Sequence, residues 1–351
     1  MEIEFQCPIN GLSYGICGSY FTQELSKLGN KVNLFPVGQA EETNEYIKPA
    51  LINAQSSKYS EVSLRLFHQH LLYQRIGKGK HFGFPIFELD KFNGQEKDSI
   101  TSCDELIVCS DWAKQVCLND NIDIPISVVP LGVDREIFYE SELPPTDEVW
   151  FFCGGKREIR KGYDLLPKAF DDAFYGGNYN VRLFILSDGH PSHYSDQEIK
   201  QWNNHFLSGK LKDKITIIPR QNSQKDVANI MRKCHCGISL SRAEGWNLPL
   251  LEMLSCGRYV VATNCTAHTQ FLSAENAFLI KADKKVPAID GKWFDGRGNW
   301  HEPDYDDLVE QLRHSYKCIR ASQKLNQNGV ETAKVFTWEN AAKKLVEVLC
   351  N

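Results

Sequence analysis

Residues 241–257 read Ser-Arg-Ala-Glu-Gly-Trp-Asn-Leu-Pro-Leu-Leu-Glu-Met-Leu-Ser-Cys-Gly and constrain the fold more than any other stretch of the chain. A strand-like run, Gly237 to Leu240, precedes them, and another, Tyr259 to Thr263, follows. Between the two lies a short helix with a readable start and stop. Asn247 suits the N-cap, Pro249 the first turn and Gly257 the C-terminal cap. The unit is β-loop-α-β, with Glu244 in the loop and Glu252 on the helix. Free N–H groups at that helix start face the same crevice and can hold an anion.

Strand and helix patterns alternate along the rest of the chain, which predicts parallel sheets with helices on both faces. Expected strands in the first half are Ile3–Cys7, Lys31–Phe35, Val62–Phe67, Glu105–Cys109 and Ile126–Val129. Those in the second half are Val149–Cys153, Val181–Leu186, Lys214–Ile218, Cys236–Leu240 and Tyr259–Ala262. Helices are expected over Ile16–Leu28, Asp111–Leu118, Tyr163–Phe174 and Ser223–Lys233, the last opening on a capping-box-like Ser223 and Asp226. Ser141 to Asp147, with Pro144-Pro145 and several acids, reads as a linker between two domains, 1–143 and 148–334.

An acid that can hold hydroxyls, an anion site and a second acid suit a nucleotide-linked sugar. Glu244-Gly-Trp-Asn-Leu-Pro-Leu-Leu-Glu252 resembles the E-x7-E signature of family-4 retaining glycosyltransferases, with Asn247 in place of a glycine. Gly155-Lys156-Arg157-Glu158-Ile159-Arg160-Lys161-Gly162 resembles the family's G-R-x4-K-G loop, with Lys156 in the Arg position, which removes a bidentate fork. Ile126 to Asp134 with Phe138, Val260 to Asn264 with Phe271, Trp300 to Asp304 with Leu308, and Phe336-Thr-Trp-Glu339 follow in the family's order. The resemblance is strong from about residue 104 onward and weaker before it.

The resemblance implies an α/β fold of the GT-B kind: two Rossmann-like doubly wound domains facing a cleft, with the final helix, 338–351, crossing back to the first domain. It implies transfer of a sugar from a nucleoside-diphosphate sugar with retained anomeric configuration. Lys156, Arg157, Lys161 and the helix start at Leu248 would hold the diphosphate. Glu252 would bind the ribose hydroxyls. Glu244, with the Gly245 backbone, would contact the sugar. The loop Asn10 to Gly18 would close over the diphosphate through Gly15. The strand end Leu64 to His70 matches the family's H-x-H, so His70, and after it His68, would contact the sugar. A GT-B sugar-nucleotide epimerase or phosphorylase and a non-catalytic nucleotide-sugar-binding subunit are the alternatives, and donor hydrolysis without acceptor separates enzyme from binder.

Composition sets limits on the partners. The net charge of −5 and pI near 6.1 supply no global field toward nucleic acid or anionic membrane. No apolar run is long enough to span a bilayer, and no signal peptide is evident. The 12 cysteines are scattered, often within apolar strands, and read as reduced thiols in the cytoplasm. Cys234-His235-Cys236 has poor chelate geometry and reads as core. Asp304-Tyr-Asp306 mimics a D-x-D metal motif but reads as acids in a first helical turn, so neither a metal nor a cofactor is expected. Arg75, Lys78 and Lys80 follow the histidine strand with no acid between them and are the expected acceptor contacts. They suit an anionic acceptor, such as a phosphorylated lipid carrier, an acidic glycan or modified DNA.

Overall fold

Short apolar strands separated by helix-length segments satisfy their backbones most simply as parallel sheets covered by helices. The computed structural model, which describes residues 1–187 and 193–351, contains two such sheets of six strands each. The chain divides into two units, Met1–Gly132 with Phe336–Asn351, and Val133–Val335.

The first unit runs β1 (Glu2–Cys7), α1 (Ser13–Lys27), β2 (Lys31–Pro36), α2 (Ile47–Gln55), β3 (Val62–Arg65), β4 (Lys80–Gly83), α3 (Gly94–Thr101), β5 (Glu105–Val108), α4 (Asp111–Asn119) and β6 (Ile126–Val128). Its strands are all parallel, in the order β2-β1-β3-β4-β5-β6. The second unit runs β7 (Val149–Gly155), α5 (Leu166–Phe174), β8 (Val181–Ser187), α6 (Asp196–Phe206), β9 (Ile215–Ile218), α7 (Gln224–Lys233), β10 (Cys236–Ser239), α8 (Leu248–Ser255), β11 (Tyr259–Thr263) and β12 (Phe278–Ile280). It continues with β13 (Lys284–Ile289), β14 (Asp295–Glu302), α9 (Tyr305–Ser322) and α10 (Gln327–Val335). Its main sheet has the order β12-β11-β10-β7-β8-β9, again parallel. Both units are Rossmann-like, as the α/β doubly wound reading expects.

Strand order decides where each sheet can bind. In open parallel sheets the crevice opens at the carboxyl ends of the two strands whose connections leave in opposite directions. That point lies between β1 and β3 in the first unit and between β7 and β10 in the second.

Local chemistry accounts for the helix boundaries. Asn93 and Glu96 close a capping box on α3, Ser195 and Glu198 another on α6, and Ser110 and Ser223 cap α4 and α7. The second core packs Phe151, Phe170, Phe174, Leu183 and Ile238 between sheet and helices, all buried.

Several expectations change. The strand expected over Val62–Phe67 ends at Arg65. Lys80 opens a strand instead of belonging to a loop. The antiparallel hairpin β13–β14 had no counterpart in the sequence reading. The first unit ends at Gly132 rather than at residue 143, and the expected linker is fastened to the second unit. Arg258, fully buried, donates to Ser141 O at 3.0 Å, Ser141 Oγ at 2.6 Å and Glu142 O at 3.1 Å. His235 accepts the Trp150 N–H at 2.9 Å and donates through Nε2 to Pro144 O at 3.2 Å. Both ring nitrogens are therefore occupied within the protein.

The last helix, α11 (Trp338–Leu349), belongs to the first unit. Trp338 stacks on Tyr20 at 5.0 Å and meets Phe21 edge-on at 5.6 Å. Gly132 passes so close to Thr337 and Trp338 that a Cβ there would lie 2.2 Å from the Trp338 nitrogen. Trp338→Ala removes the anchor of α11, and truncating a buried Trp costs about 3–5 kcal/mol. We expect a fall in the unfolding midpoint and faster amide exchange along 338–349. Unchanged exchange in that helix would show that other contacts hold it.

Candidate functional site

The β7/β10 switch point gathers most of the expected donor residues. Glu244 lies five residues beyond β10 and is buried. Its Oε1 accepts Lys161 Nζ at 2.6 Å and the Ser241 hydroxyl at 2.6 Å. Its Oε2 accepts Arg160 at 3.2 Å, and its backbone N–H donates to the Thr266 hydroxyl at 3.0 Å. Burial alone would raise this carboxyl, but Lys161 and Arg160 outweigh it and hold the pKa down to about 2. Glu244 is therefore a fixed carboxylate at any physiological pH.

Lys161 and Arg160 are presented by the loop between β7 and α5. Arg160 also pairs with Glu158 at 2.8 Å and donates to Ala243 O at 2.8 Å. Arg242 bolts the loop down from the next strand connection. It donates to both oxygens of Asp164 at 2.7 and 2.9 Å and of Glu302 at 2.6 and 3.0 Å. Neither Arg160 nor Arg242 was among the expected site residues. Their partners Ala243, Glu244 and Glu302 lie far along the chain, so spacing carried no signal for them.

Glu252 presents the opposite case. It lies on α8 and is buried, and among the described residues nothing hydrogen-bonds its carboxyl. Burial pushes its pKa up to about 8. An unmatched buried carboxyl is costly, and such groups concentrate where a ligand supplies the missing partners.

The start of α8 differs from expectation in one respect. Pro249 has no N–H, and the Leu250 N–H is taken by Asn247 Oδ1 at 3.3 Å, which leaves Leu248 as the open donor of the first turn. Asn247 adopts φ 87°, ψ 70°, the left-handed region that glycine fills at no cost and Asn tolerates best among other residues. A small cleft beside this helix start is lined by Gly154, Lys161, Tyr163, Ser239, Ser241 and Asn247.

The basic loop is less available than its composition suggests. Arg157 is buried, donates to Ile199 O at 2.9 Å and faces the Phe206 ring, so its guanidinium is engaged within the protein. Lys156 stays accessible, with Glu158 at 4.0 Å and the Trp293 ring at 5.8 Å.

In the first unit, His68 and His70 lie beyond the carboxyl end of β3, at the β1/β3 switch point, with rings stacked 5.7 Å apart. Tyr14 meets His68 edge-on at 4.8 Å and is pinned by its hydroxyl, which donates to Ile86 O and accepts from Ile86 N. Gly15 is not in a loop. It sits in the first turn of α1, where a Cβ would lie 2.2 Å from Asn10 Oδ1, so glycine is required for close packing at that point.

The topology separates Arg75, Lys78 and Lys80 from the histidines that precede them in sequence. Strands β3 and β4 are parallel, so the chain between them must return to the amino ends of the sheet. Lys80 pairs in register with Val62, the first residue of β3. Lys78 N–H donates to Ser60 O at 3.0 Å, and Arg75 donates to Lys78 O and Gly79 O. The three cations sit at the end of the sheet opposite His68 and His70.

Among the described residues no helix is long and apolar enough to cross a membrane. Comparison with known proteins matches residues 147–289 to the family described as glycosyl transferases group 1. An uncharacterized glycosyltransferase of Methanocaldococcus jannaschii is 26% identical over 244 residues. That match covers 69% of this chain but only 58% of the relative, so the chain spans well under two thirds of that protein's length. Among solved structures, sucrose-phosphate synthase from Thermosynechococcus elongatus superposes with a TM-score of 0.74 at 14% identity, covering 99% of this chain and 98% of that one. An Anabaena protein, HepE, in complex with UDP-glucose gives 0.69 at 14% identity, covering 100% and 99%. The doubly wound units thus have the GT-B fold, and the stretch 147–289 is similar to the glycosyl transferases group 1 family.

Proposed function

We propose that this chain transfers a sugar from a nucleoside-diphosphate donor to an acceptor hydroxyl, with the anomeric configuration retained and without a divalent metal. The observation that carries this reading is Glu252, a buried carboxyl without a hydrogen-bond partner among the described residues, on the helix that follows the loop of the Lys161–Glu244–Arg160 cluster. Two ribose hydroxyls would supply the hydrogen bonds that Glu252 lacks. The diphosphate would meet Lys161, the accessible Lys156 and the open N–H of Leu248. Glu244, ionised and immobile, would accept from hydroxyls of the transferred sugar, beside the Gly245 backbone. In the first unit, His70 is the proposed sugar-contacting imidazole. The E-x7-E reading of Glu244 and Glu252 is part of this proposal.

The chemistry needs charge stabilisation more than proton transfer. Negative charge grows on the leaving diphosphate while the sugar becomes oxocarbenium-like. Lys161 is well suited to the first task because Glu244 already holds its ammonium in place, so little reorganisation is required. Cations fixed in this way do the work a metal would otherwise do. HepE is described in complex with UDP-glucose, which makes UDP-sugars the first donors to test.

Glu252→Ala should raise the donor KM by about tenfold or more, because ribose contacts persist from ground state to transition state. Lys161→Ala should chiefly lower kcat, by roughly 100-fold, the scale of removing one preorganised charge partner. Steady-state kinetics with UDP-sugars, and donor hydrolysis without acceptor, read both effects. Wild-type values in both variants would remove these residues from the site. Turnover should also survive exhaustive treatment with EDTA. Loss of turnover in EDTA, restored by added manganese, would contradict the metal-free mechanism.

A further inference from the structure

We propose that His268, which no part of the transferase reading assigns, is a positioning residue that sets the start of α8 by locking Asn247 in its left-handed conformation. The transfer function proposed above is the setting in which this device would act.

The geometry is specific. His268 is fully buried in the short turn after β11. Its Nδ1 lies 2.8 Å from Thr263 O. A carbonyl only accepts, so Nδ1 carries the proton and Nε2 is left as an acceptor. Nε2 then receives the Asn247 side-chain N–H at 2.9 Å. The second amide hydrogen of Asn247 goes to Ser239 Oγ at 2.9 Å, and its Oδ1 accepts the Leu250 N–H. The amide is thus fixed on three sides, and His268 provides the buried acceptor.

The need for such a lock follows from the backbone. Asn247 has φ 87°, and Thr266, two residues before His268, has φ 50°. Positive φ is unfavourable for residues with a Cβ, most of all a β-branched one, and persists only where neighbours impose it. Both residues are held by the site they serve. Thr266 Oγ1 receives the Glu244 N–H, and Ala267 N–H donates to Glu244 O at 3.3 Å. One turn, Thr266–Gln270, therefore grips the Glu244 peptide with its first residues and the Asn247 side chain with His268. Burial also lowers the His268 pKa, which keeps the acceptor nitrogen free.

A glycine at position 247 would reach the same backbone conformation without help. This gives the inference its test. His268→Ala is made in the natural background and in the Asn247→Gly background, and its effect is taken as a ratio within each. The first readout is amide exchange at Leu251 and Glu252 in the ligand-free protein. His268→Ala should speed it about tenfold, the scale of one lost buried hydrogen bond, in the natural background. It should change it less than about twofold in the Asn247→Gly background. The second readout is UDP affinity by calorimetry, with the same pattern expected. His268→Gln keeps one donor and one acceptor and should recover part of the loss; it carries the test if the alanine variant does not fold. Equal effects of His268→Ala in both backgrounds would overturn the inference and leave His268 as ordinary core. If the unaltered protein binds no nucleoside diphosphate, the transferase reading falls, while the exchange ratio still decides the role of His268.

Discussion

Glu244 is a carboxylate kept ionised inside the protein, and the arrangement of the second unit's crevice depends on that. Burying a charge is affordable only when partners replace its water. Lys161 and Arg160 do so at 2.6 and 3.2 Å, and Glu158 in turn balances Arg160. The four groups sum to zero charge. Removing any one would leave a buried charge unmatched, so the loop after β7 cannot move independently of the loop after β10. Arg242 reinforces the same link through Asp164 and Glu302. The basic loop is therefore a rigid element and presents its few accessible cations in fixed positions.

Glu252 stands against that background as a buried carboxyl with no hydrogen-bond partner among the described residues. Two carboxyls eight residues apart have been driven in opposite directions, one down to about 2 by its cations and the other up to about 8 by burial alone. Environments that separate two like groups so widely assign them different tasks. Glu244 is a permanent charge fixed by Lys161 and Arg160. Glu252 is a group whose state would change if a ligand brought it hydrogen-bond donors, as the proposed function requires.

Much of this was legible in the sequence because it rests on local pattern. The strands on either side of the glutamate run are apolar and short, and Asn247, Pro249 and Gly257 mark the helix between them. What was not legible depends on pairing at a distance. Arg157 sits in a motif of cations but faces Ile199 and Phe206, and a motif does not say which way a side chain points. Arg75, Lys78 and Lys80 come soon after His70 in sequence, yet a parallel connection carries them to the far end of the sheet. The strand that begins at Lys80 is four residues long and opens on a charge, too little pattern to be read as a strand. The Asn247 N-cap was readable, but its left-handed backbone and its tie to His268 were not, because those belong to the tertiary turn after β11.

The most direct test of the account is the proton balance of nucleotide binding. In the free protein at pH 7 Glu252, with its pKa near 8, is mostly protonated. Ribose hydroxyls donating to it would favour the carboxylate, so binding should lower that pKa and release a proton. Calorimetry of UDP binding in buffers of different ionisation enthalpy measures this number. The account predicts release of close to one proton per nucleotide at pH 7, lost in Glu252→Gln together with most of the affinity. Binding with no proton release, or with the same release and affinity in Glu252→Gln, would contradict it.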